Sequence, residues 1–288
     1  MKRIAILGAG AMGSRMAQNL LNNQYSVVLY NRTKSNVSPL IDKGAIYAAT
    51  PREAAEQVDI VISMVTDNEG SRNIWLAPDI GAVYGLRENT IAIESSTLTV
   101  DWTRKLASEI ENSGADFLEA PVVGSRPQAE AGKLIYLVGG KAETLASVHS
   151  ILLSAGASTI HHVGGIGQGM AMKLAVNALF GIQVAALAEV MGMLTKNGLT
   201  NEKSMEILGD LPAISLAAKG AGSLMVMKNH APMFPIALVE KDFRYVIETA
   251  DTTGAANPIA TAAREIYQEA IAKGFGNDNI SGVIQLFS

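Results

Sequence analysis

Lys173 and Asn177 stand four residues apart in an otherwise apolar run, so on a helix both fall on one face. A lysine drawn into a partly dry cleft loses basicity and can give or take a proton near neutral pH, as reduction of a carbonyl requires. The Asn177 amide could then hold that lysine or a substrate by hydrogen bonding. Position alone leaves a second reading open: a lysine at a helix start, snorkelling to keep its ammonium in water. Reduction also needs a hydride carrier, and the N-terminal residues have the form of a site for one. In the run Gly8-Ala9-Gly10-Ala11-Met12-Gly13 the glycines have the spacing of a dinucleotide-binding turn. Gly8 permits the tight turn, Gly10 lets the backbone approach a pyrophosphate, and Gly13 lets the following helix pack closely. Ala11 and Met12 complete the contact set.

The elements that must position this turn are legible on both sides of it. Ile4, Ile6 and Leu7 precede it as a strand, Met12 to Leu21 reads as a helix, and Ser26 to Tyr30 as a second strand. The residues after that strand discriminate between dinucleotides. A carboxylate there holds a ribose 2′-hydroxyl, whereas a 2′-phosphate needs the carboxylate gone and cations present. This chain has Asn31, Arg32, Thr33 and Lys34. Arg32 can clamp a phosphate through its planar fork, Thr33 can donate a hydroxyl, and Lys34 adds charge, so NADP is favoured over NAD. A polar loop with solvated charges is the plainer alternative.

Strand and helix signals alternate through the first half, as a doubly wound sheet requires. Ala45 to Tyr47 reads as a strand, Thr50-Pro51 opens a helix with Glu53 in capping position, and Asp59 to Met64 reads as another strand. Met64 and Val65, at its end, are expected to touch the cofactor. A loop with Thr66, Asp67 and Asn68 follows. Thr90 to Glu94, Asp116 to Glu119 and a paired strand around Leu134 to Val138 complete the strands, with a helix over about Val100 to Ser113. Beyond Gly164 everything reads as helical, so the boundary is placed there: residues 1–164 against 165–288.

Composition bounds the rest. With 288 residues, 48% of them hydrophobic, the chain can fill about two domains. Its 23 basic and 27 acidic side chains give a net charge of −4, so no basic footprint points to nucleic acid. The absence of cysteine excludes disulfides, thiolate metal sites and a cysteine nucleophile, and no histidine or carboxylate cluster has metal-ligand spacing. Strand residues begin almost at Met1, leaving no secretory leader, so the cytoplasm is the expected compartment. The stretch from Leu174 to Thr195 is long enough to span a bilayer, but it holds Asn177, Gln183, Glu189 and two glycines. A buried helix, covered by its own domain and by another subunit, explains it better.

Four segments in order make the chain resemble the β-hydroxyacid dehydrogenase family, which includes 3-hydroxyisobutyrate dehydrogenases and glyoxylate/succinic semialdehyde reductases. They are Leu7 to Gly13 with Asn31-Arg32-Thr33; Glu119-Ala120-Pro121-Val122-Val123-Gly124-Ser125 continuing through Leu134; Gly167-Gln168-Gly169 with Lys173 and Asn177; and Phe234-Pro235 followed by Lys241-Asp242. The resemblance implies a Rossmann domain joined by a long helix to an all-α domain, with the active site in the cleft between them. It implies that Lys173 is the general acid/base and Asn177 its neighbour. Thr97 would lie beside the nicotinamide, Lys241 and Asp242 would close over cofactor and substrate, and Phe234 would line the substrate cleft. The Asn-Arg-Thr ending is most similar to the NADPH-dependent reductases of the group. The expected partners are a small carbonyl substrate and further copies of the chain, as a homodimer or homotetramer through the helical domain, with no nucleic acid and no membrane.

One departure concerns the substrate. Where the family carries a serine that hydrogen bonds a substrate carboxylate, this chain has Val123. A branched apolar group cannot donate that bond, which is worth about 1.5–3 kcal/mol to a charged group, or about 10- to 100-fold in affinity. The amides of Gly124 and Ser125 and the Ser125 hydroxyl are the remaining anion donors expected here. The chemistry expected is hydride transfer from NADPH to a small aldehyde or ketone, with Lys173 protonating the oxygen. An imine reductase or reductive aminase fits Val123 but usually lacks such a lysine. A cofactor-binding scaffold without chemistry is the third reading.

Overall fold

The computed structural model describes residues 2–287, which divide into two compact units, residues 2–173 and 174–287. The first residues of the long helix fall with the first unit, where the Gly167 and Gly169 amides bond to Glu119.

In the first unit the chain runs β1 (Arg3–Leu7), α1 (Gly13–Asn22), β2 (Ser26–Tyr30), the single turn α2 (Ser38–Ile41), β3 (Ile46–Tyr47), α3 (Pro51–Glu56), β4 (Ile60–Ser63) and α4 (Asn68–Leu76). It continues through β5 (Ile91–Glu94), α5 (Val100–Asn112), β6 (Asp116–Glu119), β7 (Val122–Val123), α6 (Arg126–Glu130), β8 (Leu134–Gly140), α7 (Ala142–Ser154) and β9 (Ala157–Gly164). These strands make one sheet in the order β3-β2-β1-β4-β5-β6-β8-β7, with β9 on β8. From β3 to β6 all neighbours are parallel. β8 lies antiparallel to β6 and β7, and β9 is parallel to β8.

The parallel strands are continuous runs of buried Ile, Val, Ala and Leu, as strands covered on both faces must be. β1 and β4 are neighbours although β2 and β3 intervene in sequence, so the chain reverses its winding between them. Ligands of such sheets bind at the carboxyl ends of the strands flanking that reversal, where Gly8 to Gly13 lie. Side-chain caps start several helices: Thr50 accepts the Glu53 amide, Asp67 the Gly70 amide, and Thr99 the Trp102 amide. The Thr66-Asp67-Asn68 segment, expected as plain loop, thus contains the start of α4. α1 has no side-chain cap and no acid in its first turn.

The strand β9 went unread in the sequence because its Ser, Thr and His side chains are mostly exposed on an edge.

α8 (Gln168–Lys196) begins in the first unit and continues into the second, followed by α9 (Asn201–Asp210), α10 (Leu216–Val226), α11 (Ile236–Thr253) and α12 (Pro258–Ala272). α8 is long and apolar enough to cross a membrane by length and composition. Within the second unit, however, its Val184, Leu187, Ala188 and Met191 pack in a core with Val239, Phe243 and Tyr267. Two close contacts set that packing. The Phe243 and Tyr267 rings stack at 5.6 Å, and the Tyr267 hydroxyl donates to the Gly181 carbonyl at 2.8 Å. Gly181 is needed there, since a Cβ would stand 2.6 Å from the Phe243 ring.

Candidate active site

The glycine turn is held against the end of β4. Gly8 has φ +93°, and a Cβ on it would meet the Met64 carbonyl oxygen at 2.5 Å and Val65 Cγ1 at 3.0 Å. A Cβ on Gly13 would land on the Gly8 carbonyl oxygen. Both positions therefore require glycine, one for conformation and one for close packing. Gly10 differs, because a Cβ there meets nothing within 4 Å. Its outer face is open space, the kind of cradle a pyrophosphate fills. Beside it lies a pocket of about 370 Å³ lined by Gly10, Ala11, Ser14, Arg15, Asn36 and Arg126, among others. The uncapped start of α1 supplies N–H groups and the positive end of a helix dipole beside that pocket. Arg126 also lines the pocket, and its Nε has no hydrogen-bond partner. These features fit a dinucleotide.

Asn31 ties the turn to the end of β2. Its Oδ1 accepts the Ala9 amide at 3.1 Å and its Nδ2 donates to the Thr33 carbonyl at 2.8 Å. Asn31 thus orients the loop that presents Arg32 and Thr33, which are exposed. Lys34 sits with its ammonium 4.6 Å from the centre of the Tyr47 ring. No carboxylate follows β2 at the position where one would meet a ribose hydroxyl.

Thr97 lies in the segment after β5, and Glu94 anchors that segment. The buried Glu94 carboxylate accepts from the Ser96 amide at 2.9 Å, the Ser71 hydroxyl at 2.7 Å and Trp75 Nε1 at 3.0 Å. The Ser96 hydroxyl in turn accepts the Val65 amide at 2.8 Å, joining this segment to the one beside the glycine turn. The Leu98 amide donates to Met170 Sδ at 3.2 Å, which sets Thr97 alongside the first turn of α8. Lys173, one turn further, is 8% exposed.

The start of α8 is fixed by a residue whose role was not legible in sequence. Glu119, at the end of β6, is fully buried, and its Oε1 accepts the Gly167 amide at 2.7 Å and the Gly169 amide at 2.8 Å. Its Oε2 is buried without a hydrogen-bond partner. Burial pushes the Glu119 carboxyl up to about 7, opposed by the amide bonds from Gly169, Gly167 and Met170 and by the Arg104 charge. The signal available in sequence was the pair of glycines: a Cβ on Gly169 would meet the Leu137 carbonyl oxygen at 2.5 Å.

The segment Val123-Gly124-Ser125 leads into α6. Gly124 has φ +122° and no room for a Cβ, which would stand 3.0 Å from both Gln128 and Leu134. The Ser125 donors expected to bind an anion are already committed: its amide and its hydroxyl both point at Gln128 Oε1, at 3.0 and 3.2 Å. The Ser-x-x-Gln pattern makes a helix cap, and the Gly124 amide is the expected anion donor with no bond to Gln128.

The other expected residues belong to the second unit. Asn177 Nδ2 donates to Asp242 Oδ2 at 2.6 Å, and the Lys241 ammonium lies 3.1 Å from Asp242 Oδ1. Lys241 and Asp242 are both buried, so the charges offset each other away from water. The Lys241 ammonium also lies 4.9 Å from the centre of the Tyr245 ring. Phe234 packs against the core of this unit, and its amide donates to Asn279 Oδ1 at 3.0 Å.

Residues 3–165 match the family described as the NAD binding domain of 6-phosphogluconate dehydrogenase, and residues 167–287 match the NAD-binding domain of NADP-dependent 3-hydroxyisobutyrate dehydrogenase. The chain is 34% identical over 284 residues to glyoxylate/succinic semialdehyde reductase 2, chloroplastic, of Arabidopsis thaliana, covering 98% of this chain and 78% of that one. A solved structure of Mycobacterium tuberculosis 3-hydroxyisobutyrate dehydrogenase with L-serine superposes with a TM-score of 0.90 at 28% identity, covering 99% of each chain. A Streptomyces aurantiacus imine reductase superposes less closely, with a TM-score of 0.65 at 20% identity over 100% of each chain, and shares the fold. With both halves matched and a reductase relative 34% identical over 98% of this chain, the chain is an oxidoreductase acting on CH–OH and belongs to the β-hydroxyacid dehydrogenase family.

Proposed function

We propose that this chain reduces a small aldehyde or ketone, of the semialdehyde and glyoxylate class, to the alcohol, with NADPH as reductant and Lys173 as proton donor. The placement of Lys173 carries the reading. It is buried, it sits one turn beyond the Glu119 clamp, and the segment bearing Thr97 lies alongside the turn before it. When bound, the dinucleotide supplies the hydride. Lys173 gives its proton to the carbonyl oxygen as negative charge develops there, and Asn177, four residues on, orients lysine or substrate by hydrogen bonding. Thr97 places the nicotinamide end, Gly8 to Gly13 with Met64 and Val65 hold the middle of the cofactor, and Arg32 and Thr33 hold a 2′-phosphate. The exposed Arg32 and the missing carboxylate after β2 support NADP. The resemblance to the family assigns Lys241 and Asp242 to cofactor and substrate and Phe234 to an apolar wall. The substrate class comes from the name of the Arabidopsis relative together with Lys173, which imine reductases of related fold usually lack.

A second reading is favoured by one observation. Val123 cannot donate a hydrogen bond and the Ser125 donors are spent on Gln128, which suits a neutral carbonyl or an imine. NADPH oxidation against glyoxylate, succinic semialdehyde, a neutral aldehyde of similar length and a cyclic imine separates the two. Preference for the carboxylated aldehydes supports the first reading, and preference for the imine overturns it.

We further infer that copies of the chain associate through the helical unit, because α8 leaves Leu179, Val190 and Met193 exposed along one side. Sedimentation of Leu179→Glu checks this: a mass unchanged from the parent would contradict it.

A further inference from the structure

Two arginines, Arg15 and Arg126, line the pocket beside Gly10, and no acid lines it. Arg15 is engaged. Its Nε and Nη2 both bind Glu130 Oε1, at 2.7 and 2.6 Å, and its Nη1 donates to the Ala11 carbonyl at 2.6 Å. Its charge is thereby largely offset, and it acts as a brace between α1 and α6. Arg126 is in the opposite condition: its Nε is buried against the protein without a hydrogen-bond partner. Among the described residues no acid pairs with it, so its positive charge is not offset as that of Arg15 is. The backbone that carries Arg126 is well fixed. Ser125 and Gln128 close the cap before it, and Pro127 follows it at the start of α6. The same pocket is lined by Gly10, where space is open, and by Ser14 in the uncapped first turn of α1.

We propose that Arg126, the arginine of this pocket that no acid pairs, binds the diphosphate of the dinucleotide. The assignment rests on the pocket being the cofactor site, and it is independent of whether the cofactor is NADPH or NADH, because both carry the diphosphate. Phosphate oxygens accept from a planar guanidinium fork in two places, and such charge-assisted bonds are the strong ones. Arg32, at the far end of the cofactor, would read the 2′-phosphate that only NADPH has.

The test is a set of dissociation constants for the cofactor-free protein, measured by calorimetry, with Arg126→Gln and Arg126→Lys. NADPH, NADH and ADP-ribose should each bind about 10- to 100-fold more weakly to Arg126→Gln, by a similar factor. Adenosine 2′-phosphate, which lacks the diphosphate, should bind as it does to the parent. Arg126→Lys should recover part of the loss, since it keeps the charge and loses the fork. Unchanged binding of ADP-ribose to Arg126→Gln overturns the proposal. So does a loss confined to NADPH, which would place Arg126 on the 2′-phosphate, or a loss confined to the KM of a carboxylated aldehyde, which would place it on substrate. A parent that prefers NADH would overturn the NADP reading and leave the ADP-ribose comparison intact. If Arg126→Gln does not fold, Arg126→Lys carries the same comparison: equal affinity for ADP-ribose and a lowered affinity for adenosine 2′-phosphate would contradict the proposal.

Discussion

Glu119 Oε1 accepts the Gly169 amide at 2.8 Å, and Gly169 stands one helical turn before Lys173. The end of a buried strand therefore sets where the proton donor of the proposed reaction begins its helix. The relationship depends on glycine, because a side chain at 169 would press on the Leu137 carbonyl and the Gly139 amide.

The same carboxyl should make stability depend on pH. Its value rises from 4.5 to about 7 on burial, so the folded chain holds this proton more tightly than the unfolded chain. The stability it contributes is complete below about 4.5 and is lost as pH rises through about 7. The loss is on the order of 3 kcal/mol. Urea unfolding of the parent and of Glu119→Gln between pH 5 and pH 8 (roughly the window set by these values) should show the parent losing stability relative to the variant. A difference that stays constant with pH would contradict the assignment.

Arg32→Ala should separate the two cofactors. Removing one bidentate phosphate contact should weaken NADPH by about 10- to 100-fold and leave NADH nearly unchanged. Equal weakening of both would argue against recognition of a 2′-phosphate by this residue.

Val123→Ser should shift substrate preference. A hydroxyl at 123 supplies the donor that the chain lacks, and Ser125 cannot supply it while Gln128 holds it. The KM for a carboxylated aldehyde should fall by about 10-fold or more, and that for a neutral aldehyde of the same length should not. A parallel change in both would show that position 123 does not read the carboxylate.

What could be read in the sequence was what repeats locally. The glycine spacing, the apolar strands and the Lys173–Asn177 step are each contained in a few consecutive residues, and the helical start at Thr50 was visible from its capping pattern. What could not be read depends on distant partners. Arg126 looks like any surface arginine until the fold brings it to a pocket with Gly10. Glu119 lies in a recognised segment, but its buried contacts with Gly167 and Gly169 exist only once the sheet has formed. Ser125 shows the reverse case, a local signal: Gln128 three residues on already marks a helix cap. The edge strand β9 escaped because polar side chains on an exposed edge carry little of the alternation that marks a strand.

The most direct test of the account is single-turnover reduction of an aldehyde by Lys173→Ala with bound NADPH, with the NADPH dissociation constant measured alongside. Loss of a positioned proton donor should slow the chemical step by about 10²- to 10⁴-fold while NADPH affinity stays near that of the parent. A variant that turns over at the parent rate would contradict the role given to Lys173, and with it the mechanism.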